Sequence, residues 1–350
     1  MNKNLKKNLQ YLLWICVSIA LLYFSFRGVN WQDFGTALKS CRWEYILLSM
    51  AAAVLVLYVR GLRWRMQLLP IDPSISSLTC WNAYNICMIV NLVLPRVGEV
   101  ARCGVVRKNS ARDAGGQPRI TLDKALGTVV MDRIWDGVSL AVVLVLMLLV
   151  MWDRFGSFFT DTLFPGVRGK AHLWWIVGVA VLVIVGFVWL CWRLRDRGRF
   201  WSGAWNIVKG VRDGLVTCLH MRNGWLFIVY TAIIWFLYWV MCYTVVLSLQ
   251  GIDTSVLSPE LAGALARVDT LGPADALFLM FAGSLSSLIP VPGGFGAFHS
   301  VVAGALSSLY GIPFNVGLIF ATLSHESQVI VDAVCGAVSY VYETFLKRSK

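Results

Sequence analysis

The sequence predicts an all-α, polytopic integral membrane protein with about six transmembrane helices and two re-entrant helical hairpins in an inverted repeat. Three observations carry that prediction. Of 350 residues, 58% are hydrophobic and 14% charged, with a mean hydropathy of +0.67; globular chains average about 45–50% apolar and about 25% charged. Apolar stretches recur at the length that crosses a bilayer. Two more apolar stretches are broken by Pro and Gly at corresponding places in the two halves. The composition excludes a soluble domain, a disordered chain and a disulfide scaffold. The net charge of +12 does not indicate nucleic acid, because cytoplasmic loops of membrane proteins are enriched in Lys and Arg.

A crossing needs about 20 mostly apolar residues. Six stretches qualify: Tyr11–Phe26, Trp43–Leu62, Ala125–Trp152, His172–Trp192, Trp225–Gln250 and Phe314–Phe345. The first follows Lys3, Lys6 and Lys7, as a signal peptide would. Tyr23-Phe24-Ser25-Phe26 offers no small-residue cleavage site, so it reads as an uncleaved helix. Trp43, Trp64, Trp152, Trp174, Trp175, Trp192 and Trp225 lie near span ends, as an interfacial belt requires.

With the amino terminus inside and each span crossing once, only Arg27, Lys39, Arg42, Arg154, Arg168, Lys170 and Arg267 fall outside. Arg133 lies within a span, and every other Lys and Arg is inside. That bias sets the orientation, with both termini cytoplasmic. It follows that Leu78–Pro95 has both ends inside and Ala274–Ser308 has both ends outside. Neither crosses once, so each reads as a re-entrant hairpin. Broken backbone at membrane depth is tolerated only where protein or water satisfies its polar groups. The hairpins therefore imply an interior cavity.

The chain is read as a single membrane domain, 1–350, with inverted halves at approximately 1–152 and 172–346. Each half runs helix, helix, hairpin, helix, and three crossings per half invert the second. Asn91-Leu-Val-Leu-Pro95 with Gly98 parallels Ser287-Leu-Ile-Pro290 with Gly293. Asp136 and Asp332 follow the two prolines at 41 and 42 residues. Inverted repeats with broken helices are a signature of secondary transporters. Between the halves, Trp201, Trp205, Val208, Val211, Leu215 and Leu219 recur at spacings of three and four. Residues at approximately 200–221 therefore read as an amphipathic helix on the cytoplasmic face.

Four constellations are candidates for chemistry. In the first hairpin, Asn91, Pro95, Arg96, Gly98, Glu99 and Arg102 suit an anionic headgroup: guanidinium forks match phosphate, and half-helix amino termini add positive potential. Asp132, Arg133 and Asp136 begin the third span, where ionisable groups face the interior or one another. Pro290, Pro292, Gly293, Gly294 and Gly296 form a tip in which Pro removes donors and Gly permits close backbone approach; His299 follows it. His325, Glu326 and Asp332 form a polar patch in the sixth span, suited to ion pairing or proton coupling. The four His are dispersed and none follows His325 at i+4, so no zinc motif is read. The nine Cys contain no CxxC. No P-loop, nucleophile elbow or dinucleotide fingerprint occurs. No metal or cofactor and no catalytic residue is expected.

These motifs carry a resemblance. Arg60-Gly-Leu-Arg63-Trp64, Asn91-Leu-Val-Leu-Pro95-Arg96-Val-Gly98-Glu99-Val-Ala-Arg102, Met131-Asp132-Arg133-Ile-Trp-Asp136 and Ile289-Pro290-Val-Pro292-Gly293-Gly294-Phe295-Gly296 occur in that order. Together they resemble the lysylphosphatidylglycerol synthase transmembrane region family, a group of flippase-like membrane proteins. The resemblance implies lipid movement, a bacterial cytoplasmic membrane, and anionic phospholipid as partner. In two-part members this region translocates aminoacylated phosphatidylglycerol made by an attached synthase domain. The present chain ends at Lys350, so no synthase activity is expected. It departs from the family at Met131-Asp132-Arg133, and at His299, where an acidic residue is usual.

The resulting expectation is a flippase or transporter for an anionic or aminoacylated phospholipid, or a polyprenyl-linked lipid. Two rivals stand beside it. One is an intramembrane lipid-modifying enzyme using His299, His325 and Glu326. The other is a non-catalytic partner of a separate lipid or glycan synthesis enzyme.

Overall fold

A computed structural model describes residues 3–27, 29–151, 178, 182, 186–198, 200–203, 205, 208–209, 223–253, 255 and 257–346. Among them there is no β-strand, only an isolated bridge between Arg112 and Pro118. The chain is all-α, as expected. The α-helices whose bounds fall among the described residues are α1 Lys3–Phe26, α2 Trp31–Ser40, α3 Trp43–Leu68, α4 Ser77–Val93, α5 Gly98–Lys108, α6 Leu122–Val150, α7 Gly224–Leu249, α8 Pro259–Leu265, α9 Pro273–Ser286, α10 Ala297–Tyr310 and α11 Phe314–Val341. A π-helical segment, Tyr342–Leu346, continues α11.

Among the described residues, α3, α6, α7 and Phe314–Phe345 are long and apolar enough to cross a membrane. α1 is joined to α2 through a bend of 88°. The predicted span His172–Trp192 and the amphipathic helix at approximately 200–221 lie largely outside the described residues. The predicted hairpin Leu78–Pro95 is instead one continuous helix, α4, with its break at the end, Leu94–Val97, before α5; the stretch Ala274–Ser308 is broken within, at Ser287–Gly296, between α9 and α10.

Local chemistry explains several helix ends. The Asn30 side chain caps α2 by accepting from the backbone of Gln32 and Asp33, and Ser76 caps α4 by accepting from Thr79. Pro259 and Pro273 open α8 and α9, where their missing N–H costs nothing. Gly311, at φ 61°, closes α10, and α11 follows directly after Pro313.

The chain divides into two compact units, Met1–Val130 with Leu226–Lys350, and Met131–Trp225. In the larger unit, α4 and α10 both pack on α11, and α3 packs on α4 and α11. Small residues permit the approach. A Cβ on Gly317 would stand 2.8 Å from Ala303 Cα, and one on Gly336 would stand 2.5 Å from Ile89 Cβ. Membrane helices rely on such small-residue contacts, since lipid supplies no hydrophobic drive for association. One apolar core gathers Trp64, Leu68, Ile75, Cys103, Val106 and Ile120 with their neighbours. A second joins Val56, Leu57, Tyr84, Met241 and Val331.

A polar seam binds the first hairpin to the end of the chain. Glu343 is buried; its carboxylate accepts from Asn82 at 3.0 Å and Asn109 at 2.8 Å. Lys108 donates to its backbone carbonyl at 3.0 Å. One turn away, Asn85 donates to Ser339 at 2.9 Å.

Outside the spans, the fully buried Asp72 staples the loop after α3 to the loop after α5. It accepts from Ser74 (backbone and side chain), the Ser110 hydroxyl and the Ala111 N–H. Burial alone would raise this carboxyl; the hydrogen bonds outweigh it and hold the pKa at about 2. The folded pKa lies below the unfolded one. The stabilisation is therefore complete above about pH 4 and is lost as pH falls through about 2. Asp72→Asn should lower the thermal midpoint of detergent-solubilised protein at neutral pH. The gap to wild type should close across that acid window.

Two expectations need correction. Trp64 is not an interfacial residue. It is fully buried, with its indole N–H donating to Thr128 at 3.0 Å, whereas Trp43, Trp192 and Trp225 are exposed. Arg60 and Arg63 are not loop charges: α3 continues to Leu68 and buries both.

Candidate functional site

The first tip is built by Asn91. Its side-chain oxygen accepts from the Gly98 N–H at 2.9 Å, tying the end of α4 to the first residue of α5. Val97 N–H closes the turn onto the Leu94 carbonyl. Within that turn Arg96 is exposed and has φ 66°, a left-handed conformation unfavourable for a side chain. Pro95 and Glu99 are half-buried beside it. Arg102 does not share the rim. It is fully buried on α5, its guanidinium 4.6 Å from the Trp64 ring and 5.3 Å from that of Tyr84.

The second tip turns through Pro290, Pro292, Gly293, Gly294 and Gly296, with φ of 57°, 78° and 79° at the three glycines. It packs on α1: Ser18 donates to the Phe295 carbonyl at 3.0 Å. A Cβ on Gly296 would stand 2.8 Å from the Leu22 backbone nitrogen. It also meets the first tip, since a Cβ on Gly293 would stand 3.4 Å from the Leu92 carbonyl oxygen. The two breaks, some 200 residues apart in sequence, are neighbours.

At this junction α10 and α11 supply a tight cluster. His325 Nε2 lies 2.9 Å from the Gly293 carbonyl oxygen, and its Nδ1 lies 3.1 Å from Glu326 Oε1. His299 Nε2 lies 3.5 Å from the same carboxylate oxygen. Both imidazoles are buried, while Glu326 is partly exposed. Phe26, Phe295 and Phe298 pack around the rings. Two of the four histidines of the sequence, His299 and His325, thus converge in three dimensions.

Deeper in the same unit a small cavity is lined by Arg60, Tyr84, Met88, Tyr238, Gln328 and Asp332. Arg60 donates to the hydroxyls of Tyr84 at 2.8 Å and Tyr238 at 3.0 Å. Asp332, also buried, lies within electrostatic reach of Arg60 and His325. In the sequence Arg60 stands only among the basic residues near the end of the second span; its tyrosine partners lie on other helices, and no spacing rule exposes them.

In the smaller unit, Asp132 is buried on α6. Arg133 pairs with Asp136 at 3.6 Å, one turn along the same helix.

The family model described as "Lysylphosphatidylglycerol synthase TM region" matches residues 11–336. No curated protein sequence and no solved structure matches this chain.

Proposed function

The chain belongs to the lysylphosphatidylglycerol synthase TM region family, an integral membrane family with a lipid-related role, and from that premise we propose that it is a lipid flippase or transporter. The observation that supports this reading best is the meeting of two broken hairpins beside a buried polar junction. Irregular backbone and buried charge are costly in a bilayer, and a path for a polar headgroup is a reason to keep both.

In this mechanism Arg96, exposed at the first tip, receives the phosphate of an anionic or aminoacylated phospholipid, or of a polyprenyl-linked lipid. The headgroup passes the Gly-rich second tip, where little side chain obstructs it, while the acyl chains stay in the bilayer. Arg60 and Asp332 offer a further polar station. Movement is downhill or coupled to an ion gradient, with Asp132 and Asp136 as coupling candidates. The amino terminus is inside, in a bacterial cytoplasmic membrane.

Translocation of fluorescent phosphatidylglycerol, lysyl-phosphatidylglycerol and a polyprenyl phosphate by purified protein in sealed vesicles tests the proposal. One lipid should move. Arg96→Glu should slow it by about tenfold or more, the effect of a differential interaction of about 1.4 kcal/mol. Unchanged transport in Arg96→Glu would remove the headgroup role. The His299–His325–Glu326 cluster favours a second reading, a lipid-modifying enzyme; product formation from lipid by purified protein would support it.

A further inference from the structure

His299, His325 and Glu326 are explained neither by helix packing nor by the headgroup path. A neutral imidazole carries one N–H. His325 faces two acceptors, the Gly293 carbonyl oxygen at 2.9 Å through Nε2 and Glu326 Oε1 at 3.1 Å through Nδ1. One proton cannot serve both contacts. If Nε2–H donates to Gly293, the Nδ1 lone pair points at a carboxylate oxygen, and a positive centre is needed between them. His299 Nε2 converges on that same oxygen at 3.5 Å, while His299 Nδ1 is buried with no hydrogen-bond partner. The cluster is thus the only polar anchor that the His299 ring has among the described residues.

We infer that His299 Nε2, His325 Nδ1 and Glu326 Oε1 form a binding site for a divalent transition-metal ion of the zinc type. One ligand atom from each of the three residues lies within 4.8 Å of the other two. Bonds of about 2.0–2.2 Å in a tetrahedral site place donor atoms about 3.3–3.6 Å apart. Two of the edges, 3.1 and 3.5 Å, already approximate that. The contact from His325 Nε2–H to a backbone carbonyl is the outer-shell arrangement that fixes the tautomer of a metal-bound histidine. Two imidazoles and one carboxylate suit zinc and its neighbours; calcium and magnesium require oxygen cages. Three protein ligands leave a fourth position for water or an anionic oxygen, and the partial exposure of Glu326 gives it access. The ion would also clamp the second tip to α11 through Gly293. This assignment does not depend on the transport reading.

The test is metal binding by the full-length purified protein, stripped with chelator and titrated with Co²⁺ and then Zn²⁺. Tetrahedral Co²⁺ absorption should develop to one ion per chain and be displaced by Zn²⁺. His299→Ala and Glu326→Gln should each weaken binding by at least about tenfold. Both spare the His325 contact to the tip, so both should remain folded by circular dichroism and thermal midpoint. Folded wild-type protein that takes up no Co²⁺ would overturn the site and leave a proton between His325 and Glu326. Wild-type affinity in both variants would overturn it equally.

Discussion

Gly98→Ala is expected to destabilise the protein by about 2–4 kcal/mol. The added methyl would stand 2.1 Å from the Cys87 carbonyl oxygen and 2.7 Å from Asn91 Oδ1. The first of these is helix backbone and cannot rotate away. The second is the acceptor that caps α5 through the Gly98 N–H. The methyl therefore either forces α5 off α4 or breaks the cap, and the core around Cys103 and Val106 is displaced with it. Overpacking in a closed site costs about 1–3 kcal/mol, and loss of a cap adds about 1 kcal/mol. Against a total of about 5–15 kcal/mol, that should appear as a large fall in thermal midpoint and in monodisperse yield from detergent. Gly104→Ala is the matched control. It lies on the same helix with nothing within 4 Å of a new Cβ. There the substitution should be neutral or stabilising by up to about 1 kcal/mol, because Ala favours helix over Gly. Equal behaviour of the two variants would contradict the close packing of the hairpin.

Glu343→Ala should be at least as damaging, for a different reason. Its two carboxylate oxygens satisfy the amides of Asn82 and Asn109, from both helices of the first hairpin. Asn82 is buried, so removing its acceptor strands a donor that water does not reach. Hydrogen bonds to a charged group are each worth about 1.5–3 kcal/mol, and an unsatisfied buried donor carries its own desolvation cost. A loss of about 3–5 kcal/mol is expected from these two bonds. Glu343→Gln separates shape from charge. It keeps one acceptor oxygen but turns an NH₂ toward the second Asn, so it should recover only part of the loss. Thermal unfolding of the three proteins in one detergent decides the order, and a Gln variant as stable as wild type would show that the charge contributes nothing.

Several features were legible in the sequence because they are local. Apolar length identified α1, α3, α6, α7 and α11. Pro95 with Gly98, and Pro290 with Gly293, marked two breaks that occur where expected, since lost donors and positive φ act on the residues that carry them. The short α2 is not legible in the sequence, although Asn30 is a capping residue and Asp33 lies in the first turn. Its ten residues carry too little apolar periodicity to stand out before Phe34 and Ala37 find their burial. The burial of Arg60, Arg63 and Arg102 is hidden from the sequence for a related reason. A charge count cannot distinguish an arginine in water from one held over Tyr84, Phe227 or Trp64.

What the sequence determined by itself is the solvent this chain is built for, its helical class, and the two positions where helices must break. All follow from side-chain hydropathy and backbone freedom, which depend on near neighbours alone. Only the tertiary structure decided that the two tips touch, that Arg60 shares a cavity with Asp332, and that His299 reaches Glu326 across a helix boundary. Those juxtapositions join residues from 27 to about 270 positions apart. They arise because a buried polar group must find its partner wherever packing places one, and no periodicity in the chain records which partner that is.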